Sequence, residues 1–366
     1  MSGDRLRVAM TLEQCWHRVP GGTAVAALGQ ARLLERGQVD VVGVAAAHRS
    51  PPSAEWLPPV PVRHLLLPRI ALYESWHRLR RPSVSRATGA VDIVHATTFA
   101  IPPRSAPLIV TVHDLAFVHD PSNFTKHGVA FFRRGLELTR EDADLIVCPS
   151  QATLDDCVSH GIDVDRLRVV PLGVDQTAAD ASTVSAVRLK YGLSRPYVLW
   201  VGTAEPRKNL RRLLEAFSTI DDAEIDLIVV GPKGWNETLG PLVARSGGRV
   251  RTLGFVPRSD LGPLYAGARA FCFPSLLEGF GFPVLEAMTH GTPVVTSRGT
   301  STEEIAGDAA VLVDPLDTSD IARGLASILD DQEFASRLAD AGRKRAATFT
   351  WERSADRLAD VYREVA

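Results

Sequence analysis

Two glutamates, Glu278 and Glu286, bracket a Gly-Phe-Gly-Phe-Pro turn inside the stretch SLLEGFGFPVLEAMTHGTPVV, residues 275–295. Carboxylates are seldom embedded in so apolar a run unless they are paired or used. Proline favours a first helical turn, which predicts a helix starting at Phe282 or Pro283. Glu278 then lies in the loop before it and Glu286 in its first or second turn. Backbone N–H groups at Phe280 and Gly281 would be open to an anion, and the glycines permit close approach. An anionic, hydroxyl-rich ligand such as a sugar nucleotide suits the arrangement, with phosphate at the helix start and hydroxyls on the carboxylates. On this stretch alone, Glu286 is equally well explained as a first-turn acid favouring the helix dipole.

A second segment adds weight. VGTAEPRKNLRRLLEAF (201–217) reads as strand, short loop and helix, with Arg207 and Lys208 where a basic pair could meet phosphates at the carboxyl end of the strand. A merely solvated basic start is disfavoured, because cations there oppose the helix dipole. TVHDL (111–115) ends a strand in His113 and Asp114, and VDIVHAT (91–97) carries His95. A lone histidine is more often structural, and for His95 a satisfied core position is at least as good a reading as an acceptor-side one. VPGGTAVAALG (19–29) follows the first strand and opens a helix, but it is not a GxGxxG fingerprint.

Positioning these groups requires two sheets. Candidate strands in the first half are residues 6–12, 39–45, 91–97, 108–115, 143–150 and 167–173. A second series follows at 197–203, 225–231, 250–256, 268–275, 292–297 and 309–315. Alternation with helical stretches indicates parallel sheets with crossover helices. The organisation expected is a first Rossmann-like domain over 1–174, a connector over 175–192 and a second Rossmann-like domain over 193–348. Residues 349–366 form an amphipathic helix packing back on the first domain. The fold class is α/β, two doubly wound domains facing across a cleft, and ligands in such sheets collect at the carboxyl ends of the strands.

Composition narrows the field. The chain has 366 residues, 45% hydrophobic and 23% charged, with a net charge of −2, which argues against bulk nucleic-acid binding. Cys15, Cys148, Cys157 and Cys272 are scattered without a CxxC pair, as suits reduced thiols and not a zinc site. No apolar run approaches the roughly 20 residues that span a bilayer, and the N-terminal segment lacks a signal-peptide block. The expectation is a soluble cytoplasmic protein. Two DxD-like pairs, Asp142 with Asp144 and Asp163 with Asp165, precede strands instead of following them and read as solvated loop acids, so no metal is expected. GPKGWNET is not a Walker A loop, since Lys233 is misplaced for one, and its N-x-T sequon has no role in a cytoplasmic protein.

Residues 62–89 carry Arg63, Arg69, Arg78, Arg80, Arg81 and Arg86 against Glu74, interleaved with Leu65, Leu66, Leu67, Ile70, Leu72, Tyr73 and Trp76. Two readings stand: a peripheral surface with arginines on anionic lipid and aromatics at the interface, or a basic helix whose apolar face joins the core.

Taken together, GTAEPRKNL (202–210), LGFVPRSDLGPLYAGARAFCFPSLLEGFGFPVLEAM (253–288) and VVPLGVD (169–175) resemble the retaining GT-B glycosyltransferases of family 4. The GTxEPRKN variant is similar to that of bacterial mannosyltransferases. The resemblance implies that Glu286 holds the ribose hydroxyls of a nucleotide diphosphate sugar and Glu278 a hydroxyl of the donor sugar. Arg207 and Lys208 would neutralise the diphosphate, and Phe280 and Gly281 would offer N–H groups. Gly22, Gly202, Thr203, Phe255 and Val256 complete the implied donor site, and His113 is implied beside the donor sugar. Many members carry arginine where this chain has Thr203. The implied activity is hexosyl transfer with retention, GDP-mannose being the first choice of donor and UDP-sugars the second. The acceptor would be a saccharide or lipid-linked molecule, and no metal or other cofactor would be needed. A sugar-nucleotide 2-epimerase and a catalytically silent scaffold of the same fold are the alternatives.

Overall fold

A computed structural model describes residues 5–37, 39–232 and 240–366. The chain divides into two compact units, Met1–Gly173 with Thr350–Ala366, and Val174–Phe349. Residues 175–192 thus belong to the second unit and do not form a separate connector. Asp180 caps the helix Ala181–Lys190 by accepting from the Thr183 N–H at 2.8 Å. Beyond that helix, Asp260 takes Lys190 and the Tyr191 hydroxyl at 2.6 Å each.

The first unit holds a seven-stranded parallel sheet in the order β3-β2-β1-β4-β5-β6-β7. Its strands are β1 (Leu6–Thr11), β2 (Val39–Ala45), β3 (Val62–His64), β4 (Ile93–Ala96), β5 (Leu108–Thr111), β6 (Leu145–Cys148) and β7 (Leu167–Val169). Every residue of β4, β5 and β6 is buried, as expected for parallel strands covered on both faces. The short β3 lies within the basic stretch, where no apolar period betrays it, and only the flanking Leu65 is fully buried. The C-terminal helix Trp351–Val365 packs on the helix Gly21–Arg36, with Gln30 donating to Ser354 at 3.2 Å. Gly29 permits that approach, since a Cβ there would stand 2.5 Å from the Trp351 ring.

The second unit holds a six-stranded parallel sheet in the order β10-β9-β8-β11-β12-β13. These strands are β8 (Tyr197–Val201), β9 (Asp226–Val230), β10 (Val250–Gly254), β11 (Ala270–Phe273), β12 (Val294–Ser297) and β13 (Val311–Val313). Glycines close three of them. Gly202 follows β8, Gly231 follows β9 and Gly254 ends β10, with N–H bonds from Gly202 to Val230 and from Gly231 to Gly254. At Gly231, φ is +133° and a Cβ would lie 1.9 Å from the Gly202 carbonyl oxygen. Only glycine allows these two backbones to touch. The carboxyl edge of this sheet is therefore bare backbone, accessible to a ligand.

Candidate functional site

In the second unit the turn Pro206–Lys208 follows β8, and Asn209 fixes it. Asn209 adopts the left-handed conformation (φ +57°), is 1% exposed, and donates its amide to the carbonyls of Pro274 at 2.8 Å and Pro315 at 2.6 Å. The neighbouring cations are thereby aimed at the loop after β11. Lys208 Nζ lies 2.5 Å from Glu278 Oε1 and 5.0 Å from the centre of the Phe273 ring. Arg207 bonds Glu205 at 3.0 Å, the other Glu278 oxygen at 3.3 Å and the Leu277 carbonyl at 3.2 Å. Ser275 donates to Glu278 at 2.7 Å, and Ser301 holds the Glu278 carbonyl at 2.7 Å.

This geometry alters the expected picture of two cations awaiting a diphosphate. Arg207 and Lys208 are already matched by Glu205 and Glu278, so the four charges balance. Burial pushes the Glu278 carboxyl up, yet the charges of Lys208 and Arg207 and the bonds from Lys208 and Ser275 outweigh it, leaving the group below its ordinary value. Burial also draws Lys208 below the usual lysine range, against the opposing pull of Glu278. Any anion binding these two cations would first have to draw them away from Glu205 and Glu278.

The helix expected after the glycine turn runs from Phe282 to Thr289, with proline in its first turn. Gly281 caps it at φ +113°, where a Cβ would press on the Thr302 methyl at 3.0 Å. No side chain caps this helix, and among the described residues the Phe280 and Gly281 N–H groups have no protein acceptor. Glu286, one turn along, accepts from the Tyr265 hydroxyl at 2.9 Å. Burial raises its carboxyl above the ordinary value, opposed by that bond and by Arg258. Tyr265 was not legible as a site residue. It is 1% exposed and held between Phe271 and His290, and nothing in its spacing points to Glu286.

Other residues of the implied donor set differ in what they offer. Gly202 and Thr203 lie at the carboxyl edge, where their backbone follows β8 directly. Phe255, just past β10, is 74% exposed, a bare ring on that edge. Val256 is 4% exposed with its side chain in the core, so only its backbone could reach a ligand.

In the first unit the same edge carries Gly22 and His113. The helix Gly21–Arg36 starts without a side-chain cap, and Gly21 (φ +66°), not Gly22, takes the left-handed turn. His113 Nε2 lies 3.1 Å from the Thr97 carbonyl, which fixes the proton on that nitrogen. Burial lowers its pKa, so the ring is neutral. His95 is a core residue, with Tyr362 and Thr111 each 2.8 Å from its ring nitrogens and burial holding its pKa at about 3.

The aspartate pairs are occupied structurally. Asp142 binds Arg80, Asp144 binds Arg104 at 2.6 Å and the Leu108 N–H at 2.7 Å, and Asp163 caps a turn through the Asp165 N–H. The first pair is therefore not merely solvated. Among the described residues one group could hold a metal ion, His119, Asp156 and His160, and it is closed by its own bonds of 2.8 and 3.1 Å. Lys233 and the N-x-T sequon lie outside the described residues. In the 62–89 stretch, Leu72 and Trp76 are core and Tyr73 stacks on Phe131, so the aromatics do not face an interface. Arg80 is spent on the carbonyls of Trp76, Ile101 and Pro102. Leu66 (94%), Ile70 (68%) and Arg63 remain exposed.

Comparison with known proteins agrees with this geometry. Residues 188–345 match the family described as Glycosyl transferases group 1, and residues 20–178 match Glycosyltransferase Family 4. The chain is 33% identical over 281 residues to the O-antigen chain mannosyltransferase B of Escherichia coli, covering 74% of each chain. It is 31% identical over 236 residues to the MMP alpha-(1->4)-mannosyltransferase of Mycolicibacterium hassiacum, covering 62% of this chain and 55% of that one. Anabaena Alr3699/HepE in complex with UDP and glucose superposes with a TM-score of 0.78 at 20% identity, covering 98% of this chain and 100% of the other. WaaG, a glycosyltransferase involved in lipopolysaccharide biosynthesis, superposes at 0.73 with 18% identity, covering 97% and 99%. The two matched regions fall one on each unit, each unit carries a Rossmann-like parallel sheet, and the chain is accordingly a GT-B glycosyltransferase of family 4.

Proposed function

We propose that this glycosyltransferase transfers mannose from GDP-mannose to a saccharide or lipid-linked acceptor with retention at the anomeric carbon. The observation that carries the reading is the Lys208–Glu278–Arg207 cluster beside the uncapped start of the Phe282–Thr289 helix. Two relatives bearing mannosyltransferase names support the choice of sugar. In this reading Glu286 binds the ribose hydroxyls and Glu278 a hydroxyl of the sugar. Lys208, Arg207 and the helix start stabilise the departing diphosphate. In the first unit, His113 is the side chain assigned to the sugar. The bond from the anomeric carbon to phosphate oxygen breaks as the acceptor oxygen bonds on the same face. The acceptor proton passes to the leaving phosphate, so no enzymic nucleophile is required.

Metal independence belongs to the same reading, because Lys208, Arg207 and the helix dipole supply positive charge at the phosphate. Incubation with a panel of nucleotide sugars in EDTA should give slow hydrolysis of GDP-mannose in preference to UDP-sugars. A requirement for added magnesium or manganese would overturn the metal-free part, and preference for a UDP-sugar would overturn the donor. Peripheral binding to anionic membrane is the remaining part, supported by the exposure of Leu66, Ile70 and Arg63 within one basic stretch. Co-sedimentation with liposomes should rise with anionic lipid and fall with salt. Equal binding to neutral liposomes would count against it.

A further inference from the structure

The first unit contains a cleft of about 480 Å³ that the donor chemistry does not use. It lies where the carboxyl ends of β1, β2 and β3 meet the loops that follow them. Trp16, after β1, stacks on His48, after β2, with centroids 4.8 Å apart and planes 10° apart. His64, ending β3, stands edge-on to Trp16 at 5.6 Å and to His48 at 6.1 Å. Leu57, Pro58, Val60 and Val62 supply apolar walls. Leu57 stays 57% exposed beside the cleft.

The three rings are held from behind. Glu13, 3% exposed, accepts the Ala46 N–H at 2.7 Å and takes His48 Nε2 at 2.9 and 3.0 Å. His64 Nδ1 donates to the Ala46 carbonyl at 2.7 Å, and the Trp16 indole donates to Ser50 at 3.0 Å. These bonds leave Nδ1 of His48 and Nε2 of His64 for a ligand. Neither has a protein partner among the described residues, and neither is a buried orphan.

We propose that this cleft binds a pyranose ring of the acceptor, resting its C–H face on the aromatic and proline walls and donating hydroxyls to His48 and His64. The proposal rests on the glycosyl-transfer reading, which requires an acceptor. Position supports it, since this is the edge of the sheet that carries Gly22 and His113, and ligands of doubly wound sheets gather there. The volume falls within the range of small-molecule sites. The pairing of apolar walls with fixed acceptors selects the class. An acyl chain would strip water from two imidazole nitrogens without replacing it, an unfavourable exchange. Arg49 in the lining would attract an anion, but the buried Glu13 carboxylate behind His48 opposes one and leaves no surplus of positive charge.

Saturation-transfer NMR with methyl α-D-mannopyranoside and methyl α-D-glucopyranoside at millimolar concentration tests binding without any donor. The wild type should transfer magnetisation from its aromatic protons to one of these sugars. His64→Ala and Leu57→Asp, both at exposed positions, should lose most of that signal, as should Trp16→Ala. In transfer assays the same variants should raise the acceptor KM about tenfold or more, the loss of roughly one charge-free hydrogen bond or ring contact, with donor hydrolysis unchanged. Silence of the wild type with both sugars, or full signal in the folded variants, would overturn the subsite. Sugar binding lost in the variants, together with no turnover of any donor, would support the subsite and refute the transfer reading.

Discussion

The carboxyl edges of the two sheets are built from opposite materials. In the second unit, strands end in glycines and the loops beyond them carry Arg207, Lys208, Glu205, Glu278 and Glu286, all half-buried or less exposed. In the first unit the edge carries Trp16, His48, His64 and a neutral His113, with Glu13 buried behind His48, Arg49 in the cleft lining and Asp114 next to His113. On the two proposals made above, one edge suits a ligand with fixed charge and the other a neutral, ring-shaped one. The difference teaches that a transferase can divide its two recognition problems between two similar sheets. Electrostatics serve one sheet, while ring packing with fixed hydrogen-bond acceptors serves the other.

Removing the charge from the second edge should produce the largest effect. Lys208→Met should slow transfer by about 100-fold or more, the usual cost of losing one preorganised electrostatic group at a departing charge. It also leaves Glu278, 8% exposed at its side chain, with Arg207 and Ser275 alone. Breaking such a buried pair costs about 3–5 kcal/mol in stability. Adding Glu278→Gln should recover much of that stability and none of the activity. Recovery of turnover in the double variant would show the cluster to be structural, and the contrast between the edges would then collapse.

The two units should also part company in acid. Burial is the leading cause that holds His17 and His77 at about 4 and His95 at about 3, all in the first unit. An unfolded chain takes up those protons below about 6.5, whereas the folded unit refuses them, so stability falls from there down to the depressed values. His95 alone accounts for a few kcal/mol, on the order of 1.4 per pH unit. In the second unit burial lowers one histidine, His290, against His17, His77 and His95 in the first. Glu278 there contributes stability above its unfolded value near 4.5 and loses it only as pH falls through the lower folded value. Glu286, raised by burial, works the other way and becomes less costly as it protonates. Hydrogen exchange near pH 5 should therefore show β1–β7 losing protection before β8–β13. The reverse order would refute the assignment of acid sensitivity to buried histidines.

The same contrast explains what could be read beforehand. Glu278 and Lys208 stood out because charge in an apolar run needs a reason, and Pro283 marked the helix start. Twelve strands were visible as apolar runs between helices, but β3 was not, being three residues long with Arg63 and His64 inside it. The balance of charge at Arg207 and Lys208 was hidden, since it depends on Glu278 some 70 positions away. The aromatic cleft left no trace in spacing, because Trp16, His48 and His64 meet only through the order of three strand ends. His95 could not be assigned to the core from sequence, as its partner Tyr362 lies 267 positions on.

The smallest effect is the most discriminating, and it concerns how Glu286 is held. Glu286→Ala should weaken nucleoside diphosphate binding by about 1–3 kcal/mol, as loss of a charged hydrogen-bond partner does. Unchanged affinity by calorimetry in the folded variant would remove Glu286 from the ribose. Tyr265→Phe deletes only the hydroxyl that donates to Glu286 at 2.9 Å and keeps the ring stacked on His290. That bond opposes the upward pressure of burial on the carboxyl, so its loss should raise the Glu286 pKa further. A ribose hydroxyl needs the carboxylate form, and affinity is lost as pH falls through the folded pKa. In Tyr265→Phe that loss should begin at higher pH than in the wild type. At pH 8 the variant should bind within about 1 kcal/mol of wild type, the ordinary scale of one hydrogen bond, with the gap widening on acidification. A role confined to packing would weaken binding equally at every pH, so a constant gap in titration calorimetry between pH 5.5 and 8 would assign Tyr265 to the core alone.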